Sequence, residues 1–317
     1  MKSVFLIGAG NIGSRHLQGL KAVREPLIIT VIDPSPDALT VAQERYTQAT
    51  GEIPHEVVYA SEIPANAGKI DCAIIATSAS VRREAMETLC ARATVRALIL
   101  EKILFQKPGD FRSVKQLLKE QNIPAWVNCP MRVMPAYRDS KKILGTGPFV
   151  YHVSGANWGL MCNAIHFMDH LSFLTGNTAF TVDTRLLKQD LFESKRKGFS
   201  ELDGTLTASF DDGSILVLTH TTEGTAPIIV EMQSSSARII VRETERKQWI
   251  AQENKQWQWA EQDAVIPYQS GLTGPLVEEI ISKGTCALPS FEESANLHLQ
   301  LYEPIRKFLK MDYYPFT

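Results

Sequence analysis

The chain opens with SVFLIGAGNIG, an apolar run that leaves glycines at positions 8, 10 and 13. An unbroken β-rich run is the pattern of a strand buried on both faces. Glycine spacing of this kind can be a mere turn. Here it leaves a strand, opens the helical stretch NIGSRHLQGLKAVRE, and is followed by Asp33, twenty residues after Gly13, at the end of a second buried run, LIITVID. In that context each glycine has a task. Gly8 permits the tight turn, Gly10 lets the backbone approach a pyrophosphate, and Gly13 lets the helix pack closely on the strand. The N–H groups of Asn11, Ile12 and Gly13 at the helix N-terminus are free to hold phosphates. Asp33 can accept bonds from ribose hydroxyls and would repel a 2′-phosphate, so the expected cofactor is NAD, with NADP less favoured.

The rest of the first half alternates strand and helix. Ser35 is a candidate N-cap for SPDALTVAQERYTQAT, with Pro36 in its first turn. DCAIIAT, ALILEKIL and PAWVNC read as further strands, separated by helices at 81–93 and 110–121. Such alternation predicts a doubly wound parallel sheet. A length of 317 residues suggests two domains. The expected boundaries are a dinucleotide-binding domain over 1–127 and a substrate and oligomerisation domain over 128–317, with helices in 273–310 packing back toward the first. The second part, from TLTASFDDGSILVLTHTT onward, has strands joined by short polar turns and predicts a largely antiparallel open sheet covered by helices. Trp249, Trp257 and Trp259 read as residues packed on that sheet.

Composition narrows the partners. A formal net charge of −2 offers no field for nucleic acid or an anionic membrane. No apolar stretch approaches the ~20 residues of a membrane helix. Five scattered cysteines without a C-x-x-C pair suggest a reducing compartment. The N-terminus has no signal-peptide pattern, so a cytoplasmic location is expected. HFMDH lacks the glutamate of H-E-x-x-H and no third ligand stands at motif spacing, so no metal is expected.

Ligands of such sheets lie outside the carboxyl ends of the strands. There the loop ATSAS offers Thr77 and Ser78, and the apolar run LILEKILF carries Glu101 and Lys102 at its exit. A charge pair ending a buried strand marks a place where chemistry is done. In the second domain, residues 161–174 form an amphipathic helix with an unusual second face. Met161, Ala164, Ile165, Phe167, Met168, Leu171 and Leu174 gather on one side. Cys162, His166 and Asp169 gather on the other, flanked by Asn163 and His170, with no lysine or glutamate among them.

These segments together resemble the glucose–fructose oxidoreductase/inositol dehydrogenase (Gfo/Idh/MocA) family. The resemblance runs through VFLIGAGNIGSRHL, AIIATSAS, EKIL, KPGDFRSVKQLLKE, NCPMRVMPAYRDSKKIL, GANWGLMCNAIHFMDHL and LPSFEESANLHLQLYEPIRKFL. It implies that Lys102 stands for the lysine of the family's E-K-P tripeptide, beside the nicotinamide, with Ile103 in place of proline. It also implies that CNAIHFMD stands for D-x-G-x-H-x-x-D. His166 and Asp169 match that motif, whereas Cys162 replaces its first aspartate and Ala164 its glycine. Arg82 stands where many members have a histidine. The open face of the second sheet would pair with another subunit, giving a homo-oligomer.

Hydride transfer from a secondary alcohol leaves a proton to be removed, and a partly desolvated lysine beside an oxidised nicotinamide suits that task. His166 would relay the proton or hold the substrate oxygen, with Asp169 orienting its ring. Trp158, Cys162, Asn163 and His170 are candidate substrate contacts. The expected activity is an NAD-dependent oxidoreductase acting on a sugar, a sugar derivative or a nucleotide sugar. Two alternatives are a non-catalytic NAD-binding regulator or assembly protein, and NAD-assisted elimination or glycoside cleavage.

Overall fold

The computed structural model describes all 317 residues, in two compact units: residues 1–128 with 267–292, and residues 129–266 with 293–317. In the first, six short runs pair in parallel: β1 (Lys2–Ile7), β2 (Leu27–Ile32), β3 (Glu56–Ala60), β4 (Cys72–Ile75), β5 (Leu98–Leu100) and β6 (Ala125–Val127). Their order is β3-β2-β1-β4-β5-β6, a doubly wound sheet. Val4, Leu6, Ile29, Val31 and Ile74 are fully buried because helices cover both faces, which is why these strands lack polar alternation. The helices are α1 (Asn11–Leu20), α2 (Pro36–Gln48), α3 (Arg82–Arg92) and α4 (Pro108–Glu120). The Ser35 hydroxyl caps α2, accepting from the Ala38 amide at 3.3 Å. Strand β3 has no counterpart in the sequence reading: HEVVYA is half exposed at the sheet edge and lacks the apolar run that marks its neighbours.

The strand register aligns the carboxyl ends of this sheet. Ile7 pairs with Ile32 and with Ile75, Ile75 with Leu100, and Leu100 with Val127. The ladder continues one residue further, through Gly8 N to Ile32 O, Ala76 N to Ile7 O, Glu101 N to Ile75 O and Asn128 N to Leu100 O. Asp33, Gly8, Ala76, Glu101 and Asn128 therefore stand in one row at the carboxyl edge. The chain crosses over on opposite sides of β1, so the crevice of this sheet opens where Gly8 and Ala76 lie.

The second unit is built on eight strands: β7 (Val150–Ala156), β8 (Phe180–Leu187), β9 (Gly204–Phe210), β10 (Ile215–Thr221), β11 (Ile229–Gln233), β12 (Ala237–Arg242), β13 (Lys247–Gln252) and β14 (Ala260–Asp263). They run in the order β8-β9-β10-β7-β11-β12-β13-β14, antiparallel except for the β10–β7 pair. Tyr151, Val153, Leu216, Leu218 and Val230 form the inner face. This unit holds α5 (Pro135–Leu144), α6 (Leu160–Thr175) and, from residue 293 on, the helix at 291–309; α6 packs on β10. Near the C-terminus come α7 (Gln269–Lys283) and α8 (Phe291–Leu309); α7 packs on α1 within the first unit. Trp257 and Trp259, just before β14, are 40% and 48% exposed and line a pocket with Gln233, Arg238 and Ala251 of the sheet. No helix of the chain is long and apolar enough to cross a membrane.

Candidate active site

The glycine turn is held by contacts that a side chain would break. Gly8 has φ +95°, and a Cβ there would lie 2.8 Å from the Thr77 amide nitrogen. A Cβ on Gly13 would fall 1.8 Å from the Gly8 carbonyl oxygen, which sets how closely α1 follows β1. A Cβ on Gly10 would meet nothing within 4 Å, so the backbone is open on that side. Gly10 is the N-cap of α1 and no side chain satisfies the first amides, leaving Asn11, Ile12 and Gly13 as donors. Asp33 braces the loop: Oδ2 accepts from the Ala9 amide at 2.7 Å and Oδ1 from the Ser35 amide at 2.9 Å. The Thr77 hydroxyl is buried without a hydrogen-bond partner, while Ser78 and Ser80 share a hydroxyl contact at 3.0 Å. An open anion cradle, a carboxylate at the end of β2 and an orphan hydroxyl across the crevice fit a dinucleotide.

Glu101 and Lys102 part company at the end of β5. The Glu101 side chain turns inward and is buried, accepting from His16 Nε2 at 2.8 Å and from Asn128 Nδ2 at 2.5 Å. His16 Nδ1 meets the Thr273 hydroxyl at 2.9 Å, and Asn128 reaches Gln269 at 2.8 Å. Burial alone would raise the Glu101 carboxyl, but the His16 hydrogen bond and charge, Asn128 and Lys102 outweigh it and bring it down to about 2. Expected at the cofactor, the Glu101 side chain instead ties the end of β5 to α1 and, through His16 and Asn128, to α7. Lys102 is half-buried at the exit, and its peptide bond to Ile103 is cis. Behind it, Ile103, Leu104 and Phe105 are fully buried. Arg82, also buried, donates to the carbonyls of Thr77, Ile103 and Leu104, so one guanidinium holds both the 76–80 loop and the segment that carries Lys102.

In the second unit, α6 splits its polar residues. Cys162, Asn163 and His166 are half-buried, with His166 and Asn163 lining a cavity of 270 Å³ together with Trp158 and Phe167. Met131, Met134, Ile228, Ile266 and Pro130 supply more of its wall, and Glu243 one further polar group. Asn163 donates to the carbonyls of Trp158 at 2.6 Å and Gly159 at 3.1 Å. The Trp158 indole donates to Thr219 O at 3.0 Å and its ring packs edge-on against Phe167 and His220.

Asp169 and His170 depart from the expected roles. Asp169 is fully buried and grips Arg132 through both oxygens, at 3.0 and 2.6 Å, and Arg132 also reaches Glu293 at 2.9 Å. Burial pushes the Asp169 carboxyl up to about 7, with Arg132 pulling against it. The carboxylate is thus committed to a guanidinium, not to orienting His166. His170 is equally buried: Nε2 lies 3.0 Å from Tyr137 O and Nδ1 lies 3.0 Å from the Tyr151 hydroxyl. A carbonyl only accepts, so Nε2 carries the proton and Nδ1 accepts from Tyr151. Burial, with the Arg132 charge, lowers this imidazole to about 3 despite the Tyr137 bond, so it stays neutral and structural. Both residues sit one turn further along α6 than His166, where each is fully buried.

His16, Asn128, Arg132, Glu201 and Glu243 have no place in the sequence reading. Glu201 caps α6, accepting from the amides of Met161 at 2.7 Å and Cys162 at 3.1 Å, a role served from across the sheet and invisible to local capping rules. His16 had one available signal: it follows the glycines on the apolar face of α1.

Residues 2–129 match the model of an oxidoreductase family with an NAD-binding Rossmann fold, GFO_IDH_MocA. No curated protein matches the chain. Among solved structures, the fold is similar to an oxidoreductase from Agrobacterium radiobacter in complex with NAD+, L-tartaric acid and magnesium, at 16% identity and TM-score 0.71 over 94% of each chain. It is similar to a levoglucosan dehydrogenase in complex with NADH and levoglucosan, at 15% identity and TM-score 0.68, covering 98% of this chain and 97% of that one. A UDP-N-acetylglucosamine 3-dehydrogenase from Acidithiobacillus ferrooxidans is similar at 14% identity and TM-score 0.66, covering 97% and 99%. At such identities the shared property is the fold.

Proposed function

From the premise that the chain belongs, through residues 2–129, to the Gfo/Idh/MocA oxidoreductase family, we propose that it transfers hydride between NAD and a hydroxyl or carbonyl carbon of a sugar or sugar derivative. The observation that carries this reading is the row at the carboxyl edge of the first sheet, where the phosphate cradle leaves β1 and Lys102 leaves β5, with β4 between them. The amides of Asn11, Ile12 and Gly13 hold the pyrophosphate, and Asp33 takes the adenosine ribose. A carboxylate there disfavours a 2′-phosphate, which supports NAD over NADP. Thr77, its hydroxyl otherwise unsatisfied, contacts the nicotinamide half.

When bound, the nicotinamide supplies the hydride acceptor or donor. Lys102 holds or takes the proton at the substrate oxygen, and Arg82 keeps its segment in place. In the second unit, His166 and Trp158 line the 270 Å³ cavity, which we take as the place where the substrate ring is held. The similar proteins that act on levoglucosan and a UDP-sugar support a carbohydrate-like substrate. The outer face of the second sheet, where Val150 and Ile215 stand in register and exposed, is the surface for self-association.

The test is a panel of sugars and cyclitols followed at the reduced-nicotinamide absorbance, with Lys102→Ala alongside. The variant should lose about 10²–10⁴-fold in kcat while binding NAD as the parent does. Undiminished turnover would remove Lys102 from the mechanism. NAD binding with no turnover on any substrate would replace catalysis by a regulatory role.

A further inference from the structure

The half-buried carboxylate of Glu243 projects into an environment that gives it little support. Its side-chain partner is the Tyr137 hydroxyl, which donates to Oε1. The nearby cations are spent elsewhere: Arg242 pairs with Glu245, and Arg132 with Asp169 and Glu293. Around it the cavity is walled by Trp158, Phe167, Met131, Met134 and Ile228, with Asn163 and His166 as the remaining polar groups. A carboxylate held in an apolar wall without a cation is costly, and burial accordingly raises its proton affinity against the pull of Tyr137. A group of this kind, in a cleft and beside the residues proposed to hold substrate, is positioned for a ligand.

We propose that Glu243 determines specificity by pairing with a protonated amine on the substrate, so that the natural substrate is an amine-bearing ring such as an amino sugar or aminocyclitol. This rests on the reading of the His166 cavity as the substrate site. Three features favour a cation over other ligands. The carboxylate lacks a protein counter-ion. Trp158 and Phe167 put aromatic rings in the wall of the same cavity, a lining compatible with an ammonium group. The thioethers of Met131 and Met134 accommodate an irregular apolar ring face without demanding hydroxyl partners. A polyol would leave most of its hydroxyls against these apolar walls, and a sugar acid would bring a second negative charge toward Glu243.

The experiment uses the full chain loaded with NAD and three matched rings, glucosamine, glucose and glucuronate, as probes at neutral pH. Binding is read from the fluorescence of Trp158, with Trp158→Phe as the control for that signal, and turnover from nicotinamide absorbance. Glucosamine should bind about ten-fold or more tighter than glucose, and glucuronate weakest. In Glu243→Gln, which keeps the size of the side chain and an acceptor for Tyr137, the preference for glucosamine should shrink to about two-fold or less. A melting curve matching the parent's shows that the variant is folded. Equal binding of glucose, a preference that survives Glu243→Gln, or no glucosamine binding up to about 10 mM would each overturn the proposal. The outcomes separate from those of the hydride-transfer reading. Turnover of glucose without amine preference sinks this inference alone, whereas Glu243-dependent glucosamine binding without any nicotinamide reduction sinks the other.

Discussion

The Glu101 carboxylate and the His16 imidazole meet at 2.8 Å inside the first unit, joining the end of β5 to the middle of α1. The residue before the proposed acid–base lysine is thereby locked to the helix that holds the phosphates. The contact has a pH signature. The Glu101 carboxyl sits at about 2, below its ordinary value of 4.5. Because it is depressed in the folded state, its stabilisation is complete above about pH 4.5 and is lost as pH falls toward 2. At 1.36 kcal/mol per pKa unit that amounts to about 3 kcal/mol. Urea denaturation of the parent and of Glu101→Gln between pH 6 and 2 checks this. The parent's stability should drop on the acid side while the variant, weaker at pH 6, shows a flatter profile. Parallel profiles would mean that the pair contributes nothing.

Two glycines one turn apart should fail in different ways. Gly13→Ala places a methyl 1.8 Å from the Gly8 carbonyl, so α1 must lift from β1 and the protein should lose several kcal/mol, on the order of other backbone clashes. Gly10→Ala meets nothing within 4 Å and should fold with an unchanged melting temperature. Its methyl would stand where a pyrophosphate approaches, so NAD affinity should fall by about ten-fold or more. Calorimetry paired with NAD titration separates the two. A Gly10→Ala protein that binds NAD normally would place the phosphates elsewhere.

The features legible in the sequence are the local ones. The glycine turn, the buried strands, Ser35 at the cap of α2 and the Asp-Asp-Gly-Ser turn between β9 and β10 each depend on residues a few positions apart, and each is where the pattern puts it. His16 pairs with Glu101 across 85 positions and with Thr273 across 257, separations that no periodicity encodes. On α6 the helical wheel separated Cys162 and His166 from the apolar stripe, yet it had no means of knowing what packs over positions 169 and 170. Asp169 and His170 consequently read as polar-face residues although both are fully buried.

His166 and His170 give the clearest division between chemistry and architecture. His170→Ala removes a donor to Tyr137 O and an acceptor for the Tyr151 hydroxyl, both buried. At about 1–3 kcal/mol for each group left unsatisfied, the melting temperature should fall substantially. NAD binding should persist in the cold. His166→Ala should reduce kcat by about ten-fold or more with a smaller loss in melting temperature than His170→Ala, since the imidazole is half-buried and lines the cavity. A stable His170→Ala protein with impaired turnover would reverse the assignment of the two imidazoles.

Arg132 is the counterweight to a buried charge, and its removal should be costly in a pH-dependent way. It holds both oxygens of Asp169, whose carboxyl burial has already pushed up to about 7 from an ordinary 3.8. A raised carboxyl favours the protonated form in the folded chain, so its effect on stability becomes more unfavourable as pH climbs from about 4 toward 7. Arg132→Met takes away the cation that limits this rise and leaves the carboxylate stranded, at a cost of about 3–5 kcal/mol. The window should then extend upward, making the variant weaker at pH 8 than at pH 5. Combining Arg132→Met with Asp169→Asn removes the stranded charge and should recover part of the loss at pH 8 and little at pH 5. Denaturant melts of the three proteins at both pH values decide it. A single variant whose deficit is the same at pH 5 and pH 8 would show that packing of the arginine, rather than its charge, is what α6 depends on.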